Sequence, residues 1–208
     1  MFGPEQKLKG EVINFYMQLI VNRSKVSFGV LLSVFAFDTL FYTQLLEKGS
    51  KLAQNWAKDV KIFDYDVILI PVRTGKVEDG HWSLMVAKPI KGSFLYLNSL
   101  YKDGDEQFKQ IKHFFTEFAE EKYVEEDPSN WLGLSPKAIL LQGNTYDCSL
   151  FTCKFADSVA RDVPINFTQR HMPQYRKEMI REILEGKYFE FLLLLSYLMS
   201  HHMLFCLL

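Results

Sequence analysis

VILIPVRTGKVEDGHWSLMVAKPIKGSFLYLNSL (67–100) is the stretch on which the fold turns. Its first part, VILIPV (67–72), is a continuous apolar run rich in β-branched residues, which predicts a strand buried on both faces. RTGKVEDG (73–80) follows as a polar loop with two glycines. HWSLMVAKP (81–89) reads as a second strand and SFLYLNSL (93–100) as a third, with Pro89-Ile90-Lys91-Gly92 as the hairpin turn between them.

Outward from this sheet the pattern becomes helical. EVINFYMQLIVN (11–22) places Val12, Phe15, Tyr16 and Leu19 at helical spacing. SVFAFDTLFYTQLLEK (33–48) reads as a short strand or loop running into a helix that stops at Gly49, and KLAQNWAKD (51–59) as a further helix. Phe108, Ile111, Phe114, Phe115 and Phe118 share one face of a helix over 104–121, and EEDPSN (125–130) is a loop. AILLQ (138–142) predicts a short strand. A helix starts near Asp147, with Phe151, Phe155 and Val159 along one stripe, and a last helix covers 173–186. Helices, then strands, then helices predict an α+β fold, a small mixed sheet surrounded by helices.

The chain of 208 residues suits one domain. Apolar residues make up 48% and charged residues 24%, as in ordinary globular proteins, and a net charge of −1 argues against bulk nucleic-acid binding. Cys148, Cys153 and Cys206 show no paired spacing, which points to a reducing compartment and no disulfide framework. Without a C-x-x-C or H-x-x-x-H pair, no metal and no cofactor are expected. MFGPEQKLKGE (1–11) lacks the apolar core of a secretory signal. FEFLLLLSYLMSHHMLFCLL (189–208) just reaches the length of a membrane span but carries Glu190, His201 and His202. A tail anchor, a core-docked helix and an end foreign to the mature protein are its three readings. The expected division is therefore one folded domain over 1–187 and an apolar tail over 188–208.

Four short stretches hold the chemistry: Gly80-His81-Trp82, Tyr96-Leu97-Asn98-Ser99, Gln142 and Asp147-Cys148-Ser149. Singly, each has a bland reading as core, turn or cap. Together they fit a nucleophilic thiol. A thiol attacks as thiolate, needs a histidine to take and return its proton, and that histidine needs an acceptor on its other ring nitrogen. His81 opens one strand and Asn98 lies on the next, where cross-strand side chains meet. Cys148 falls at a predicted helix N-terminus, where the helix dipole favours thiolate. Gln142 precedes it on a loop and can donate to an oxyanion, with the Cys148 N–H as second donor. Cys153, further round the helix, reads as core.

EVINFYMQLI, VILIPV, GHW, YLNSL, Q-x-N-x-x-D-C-x-x-F and PINFTQRHMPQYRKEMIREIL, in that order, resemble the catalytic domain of the SUMO-specific (sentrin-specific) cysteine proteases, the ubiquitin-like protease family. The resemblance covers about residues 5–187. It implies a papain-like, adenain-type fold and cleavage after the Gly-Gly end of SUMO, for precursor maturation or for desumoylation of target lysines. It further implies SUMO or SUMO-conjugated proteins as partners, no nucleic acid, a monomer, and a nuclear location that extends to the cytoplasm. Membrane contact is expected only if 189–208 acts as a tail anchor. By the same resemblance Cys148 is the nucleophile, His81 the base, Gln142 the oxyanion donor, and Trp82 a cover of the narrow tunnel for the Gly-Gly tail, with core packing as its plain alternative. His171 belongs to the family pattern and reads as structural.

The chain also departs from that pattern. Asn98 stands where the family usually has Asp, which implies reduced activity. Lys7 stands in KLKGEVINFYM where the family has the Trp that forms the tunnel's other wall, and covers it only with its aliphatic stem. Ser149 replaces a usual Gly, and either crowds the oxyanion site or caps the helix. The loop 73–80 is longer than usual and the start is N-terminally short. These departures motivate an alternative: a weakened or inactive homologue that binds SUMO or another modifier such as NEDD8 or ubiquitin.

Overall fold

The computed structural model describes residues 3, 5–26, 31–76, 80–100, 102–136 and 141–186. Along the chain run α1 (Gly10–Val26), β1 (Val34–Ala36), α2 (Phe41–Lys48), α3 (Ser50–Ala53), β2 (Val67–Thr74), β3 (His81–Lys88), β4 (Ser93–Leu97), α4 (Asp105–Glu121), β5 (Leu132–Leu134), α5 (Cys148–Ala160) and α6 (Met172–Glu185). The strands form one mixed sheet in the order β1-β2-β3-β4-β5. The hairpins β2/β3 and β3/β4 are antiparallel, while the outer pairs β1/β2 and β4/β5 are parallel.

Alternate residues of the central strands feed two separate cores. Val67, Leu69, Trp82, Leu84, Val86 and Leu97 pack with α1, α5 and α6 on one face. Ile68, Ile70, Val72, Met85, Ala87, Phe94 and Tyr96 pack with α2 and the phenylalanines of α4 on the other. A sheet covered on both faces has no solvent side to show polar alternation, which is why VILIPV reads as an unbroken apolar run. Pro71 is tolerated there because β1 pairs only as far as Leu69, beyond which β2 is an edge on that side. Gly92, at φ +55, closes the β3–β4 turn in the left-handed region that favours glycine.

Two expectations are corrected. Leu141 and Gln142 lie in no strand, and the rest of the expected 138–142 strand falls outside the described residues. The fifth strand is instead Leu132–Leu134, exposed throughout, paired with β4 from Ser93 to Leu95. The helix expected over 51–59 is one turn, Ser50–Ala53, followed by a 3₁₀ turn over Gln54–Trp56, which lets the Trp56 indole donate to Gln44 Oε1 at 3.2 Å. The apolar tail 189–208 lies outside the described residues, among which no helix is long and apolar enough to cross a membrane.

Helix α5 is the element that places the thiol. All of its residues are buried, including Lys154 and Asp157. It lies against β3, so its first residue, Cys148, arrives beside the start of that strand.

Candidate active site

His81 opens β3, and the β3/β4 ladder ends with the pair Leu84↔Leu97. Carried on, that register sets Asn98 opposite Ser83, diagonal to His81 and within cross-strand reach. His81 Nε2 lies 2.8 Å from Asn98 Oδ1. The amide orientation is fixed on independent grounds. The same Oδ1 accepts from the Leu100 N–H at 2.9 Å, and Asn98 Nδ2 donates to the Tyr96 hydroxyl at 3.3 Å. A backbone N–H can only donate, so this oxygen must be the acceptor. His81 Nε2 therefore carries a proton, and in the neutral ring Nδ1 keeps its lone pair for a second partner.

Cys148 is buried at the first position of α5. Burial pushes its thiol up, opposed by the Trp82 backbone N–H, the Lys7 ammonium, and the N–H groups of Ser149 and Cys148. The contact with the Trp82 backbone puts the sulfur beside the residue that follows His81. Burial likewise pushes the His81 imidazole below its ordinary value. The bond to Asn98 opposes that shift, and the cations Lys102 and Lys7 add to it. Both shifts disfavour the charged forms. In the neutral ring Nδ1 is free to accept a proton, and the bond to Asn98 holds the tautomer that leaves it so.

Gln142 is held from both ends. Its Oε1 accepts from Ser99 Oγ at 2.6 Å, its Nε2 donates to the Asn144 carbonyl at 2.7 Å, and its backbone N–H donates to Ser99 O at 3.0 Å. One amide hydrogen is left over for an oxyanion. Trp82, 7% exposed, belongs to the core and also lines a cavity of about 580 Å³ together with Lys7, Gly80 and Arg73. Lys7 Nζ donates to the Gly80 carbonyl at 3.3 Å. The six residues singled out in the sequence thus gather around the start of β3 and of α5. Cys153 is fully buried core. His171 is structural, as expected: its Nδ1 accepts from the Thr168 N–H at 2.9 Å in a capping box ahead of α6.

Ser149 does not cap α5, whose N-cap is Asp147. Its hydroxyl accepts from the Leu8 N–H at 3.0 Å, which ties the chain's N-terminal segment to α5. The sequence reading also missed what holds the Cys148 turn. Asp147 is buried, and its carboxylate takes Arg176 Nη2 at 2.6 Å, Asn144 Nδ2 at 2.7 Å and Gln169 Nε2 at 2.7 Å. Asn144 Oδ1 accepts from the N–H groups of Tyr146 and Asp147. The N-x-x-D spacing announces an Asx turn. Nothing local announces Arg176. Among the described residues no cluster of His, Cys, Asp and Glu could hold a metal.

Asn98→Asp tests how the chain manages without a carboxylate here. The Leu100 N–H still finds an acceptor, and the hydroxyls of Tyr96 and Ser83, 2.9 Å apart, can turn to donate toward the second oxygen. The new charge raises the His81 pKa and favours the imidazolium. The expected result is a roughly three- to tenfold faster single-turnover cleavage at neutral pH. An equal or slower rate would refute this account of Asn98.

Residues 6–187 match the Ulp1 protease family, C-terminal catalytic domain. The chain is 38% identical over 182 residues to human sentrin-specific protease 2, covering 85% of this chain and 30% of the relative. It is 32% identical over 181 residues to a sentrin-specific protease of Caenorhabditis elegans, covering 86% of this chain and 25% of the relative. The chain thus spans about a third or less of these relatives' length. Among solved structures, the Ulp1 protease domain in complex with Smt3, the yeast ortholog of SUMO, superposes with a TM-score of 0.70 at 23% identity, covering 88% of this chain and 79% of that one. The Chaetomium thermophilum Ulp1-like SUMO protease catalytic domain gives 0.74 at 23% identity, with 90% and 76% covered. At such identity these two likenesses show the fold.

Proposed function

The chain belongs to the Ulp1 protease family, and from that premise we propose that it is a thiol peptidase cleaving after the Gly-Gly terminus of SUMO, in precursor maturation, in isopeptide deconjugation, or in both. The observation that carries the reading is the 2.8 Å contact from His81 Nε2 to Asn98 Oδ1, with Cys148 against the adjacent Trp82 backbone at the head of α5. The names of the relatives and of the Smt3-bound neighbour support SUMO as the modifier.

The chemistry follows from the atoms. His81 Nδ1 takes the Cys148 proton as the sulfur attacks the terminal glycine carbonyl. The oxyanion is met by the spare Gln142 N–H and the Cys148 N–H. The protonated imidazole returns its proton to the leaving lysine amine, and a thioester remains. Water, deprotonated at the same Nδ1, then releases the modifier and restores the thiol. Lys7 and Trp82 line the approach, which suits a glycine tail because a side chain there would clash. The reading places the protein in the nucleus, as a monomer acting on a folded protein partner.

The upward push on Cys148 and the downward push on His81 favour a second reading, a homologue that binds the modifier without cutting it. Electrophilic probes built on SUMO, NEDD8 and ubiquitin separate the two. The expected result is a covalent adduct with SUMO-propargylamide and little or none with the other two. Tight SUMO binding without an adduct would establish the binding-only homologue. Preferential adducts with NEDD8 or ubiquitin would overturn the choice of modifier.

A further inference from the structure

Three consecutive residues ahead of α1 are each tied to a neighbour of the Cys148–His81 pair. The Gln6 carbonyl accepts from Arg176 Nη1 at 2.9 Å, and the same guanidinium holds Asp147, the residue before Cys148, at 2.6 Å. Lys7 Nζ donates to the carbonyl of Gly80, the residue before His81. The Leu8 N–H donates to Ser149, the residue after Cys148. The segment therefore straps the thiol's helix to the imidazole's strand, and the Lys7 ammonium is its charged point.

We propose that Lys7 is a positioning residue whose ammonium, clamped by this strap, stabilises the thiolate form of Cys148 directly. The proposal rests on reading Cys148 as the nucleophile. A neutral Asn98 gives the buried imidazolium no charge to pair with, so a thiolate gains from a second cation. Lys7 is half-buried, where an ion pair is screened less than at the surface. Its charge pulls the thiol down and also pulls the imidazole down. A proton taken up by His81 is thus passed on more readily to a leaving amine.

The other charged groups nearby do not supply this cation. From the loop after β4, Lys102 acts on His81. From β2, Arg73 lies over the Trp82 ring at 5.7 Å. From α6, Arg176 is paired with Asp147 beside the thiol. Glu11 of α1 and Asp38 line the cavity that Lys7 and Lys9 also line.

The test is the pH dependence of iodoacetamide alkylation at Cys148, followed on its own peptide by mass spectrometry in the full chain. Alkylation by a small neutral reagent needs no SUMO, so it is independent of the modifier. Lys7→Gln keeps a donor for Gly80 and loses the charge, Lys7→Met loses both, and Lys7→Arg keeps both. The expected result is an upward shift of about 0.5–1 pH unit in Lys7→Gln and Lys7→Met, a roughly three- to tenfold slower alkylation below the midpoint. Lys7→Arg stays at the parent value. An unchanged midpoint in Lys7→Gln, or a shift in Lys7→Met alone, overturns the electrostatic role and leaves a mechanical strap. SUMO-probe labelling with an unmoved midpoint would sink this inference only. A moved midpoint without labelling would sink the SUMO reading only.

Discussion

Replacing Cys148 by Ala is expected to abolish covalent labelling by a SUMO electrophile and to cut peptidase turnover by about four to six orders of magnitude, while SUMO binding persists. The size follows from what is lost. Removing the nucleophile of a nucleophile–base unit costs about as much as removing the whole unit, and the remaining rate comes from binding and the oxyanion donors alone. The small volume change argues that folding survives. The Cys148 side chain lies at the start of α5 against the Trp82 backbone, and its carbonyl still accepts from the Thr152 hydroxyl. Cys148→Ser is expected to be nearly as inert, because a buried hydroxyl loses its proton far less readily than a thiol. The check is active-site titration beside a binding isotherm for SUMO. Residual turnover above about one per cent of the parent would remove Cys148 from the nucleophile's place.

The second large effect is on stability. Asp157→Asn is expected to cost about 3–5 kcal/mol, read as a lower urea midpoint at an unchanged slope. Asp157, fully buried in α5, accepts from Arg23 Nη1 at 2.6 Å, Arg161 Nη2 at 3.0 Å and Lys154 Nζ at 3.3 Å. Arg23 comes from α1, and Lys154 also lies 4.4 Å from the Tyr175 ring of α6, so one carboxylate joins the three helices on that face of the sheet. Without its charge, the buried cations of Arg23 and Lys154, with side chains only 2% and 8% exposed, lose the carboxylate they share. The pH dependence follows the same cluster. Burial alone would raise the Asp157 carboxyl, but Lys154, Arg23 and Arg161 outweigh it and hold its pKa below the usual range. A folded value below the unfolded one means the carboxylate's stabilisation is complete above about pH 4 and is lost as pH falls through the folded value. The parent should therefore keep this contribution from pH 5 to 8 and lose it in acid. The Asn variant should lose less stability on acidification. A stability within about 1 kcal/mol of the parent would mean the three cations find other partners.

Much of the site was legible in the sequence because its parts are local. An apolar run, a short turn and a second run are enough to set two strands side by side, and a histidine and an asparagine on them then meet across the ladder. A polar turn before an apolar stripe is enough to start α5 at Cys148. The orientation of Asn98 was not legible, since it depends on the Leu100 N–H and on the Tyr96 and Ser83 hydroxyls. Nor was the direction in which the fold pushes the two groups. Helix position argues for thiolate, whereas burial pushes the thiol up and the imidazole down, and burial is a property of the assembled core.

What the amino-acid order determined unaided was therefore the strand sequence β2–β3–β4, the long helices that cover it, and the candidate residues His81, Asn98 and Cys148, because periodicity and turn chemistry act over a few residues. What only the tertiary structure decided was β5 at Leu132–Leu134, the Arg176–Asp147 pair behind the thiol, and the strap from Gln6 to Leu8 that reaches Arg176, Gly80 and Ser149. Three exposed strand residues are too few to show a period. Contacts between segments distant along the chain leave no periodic trace in either one, and arise only when packing brings them together.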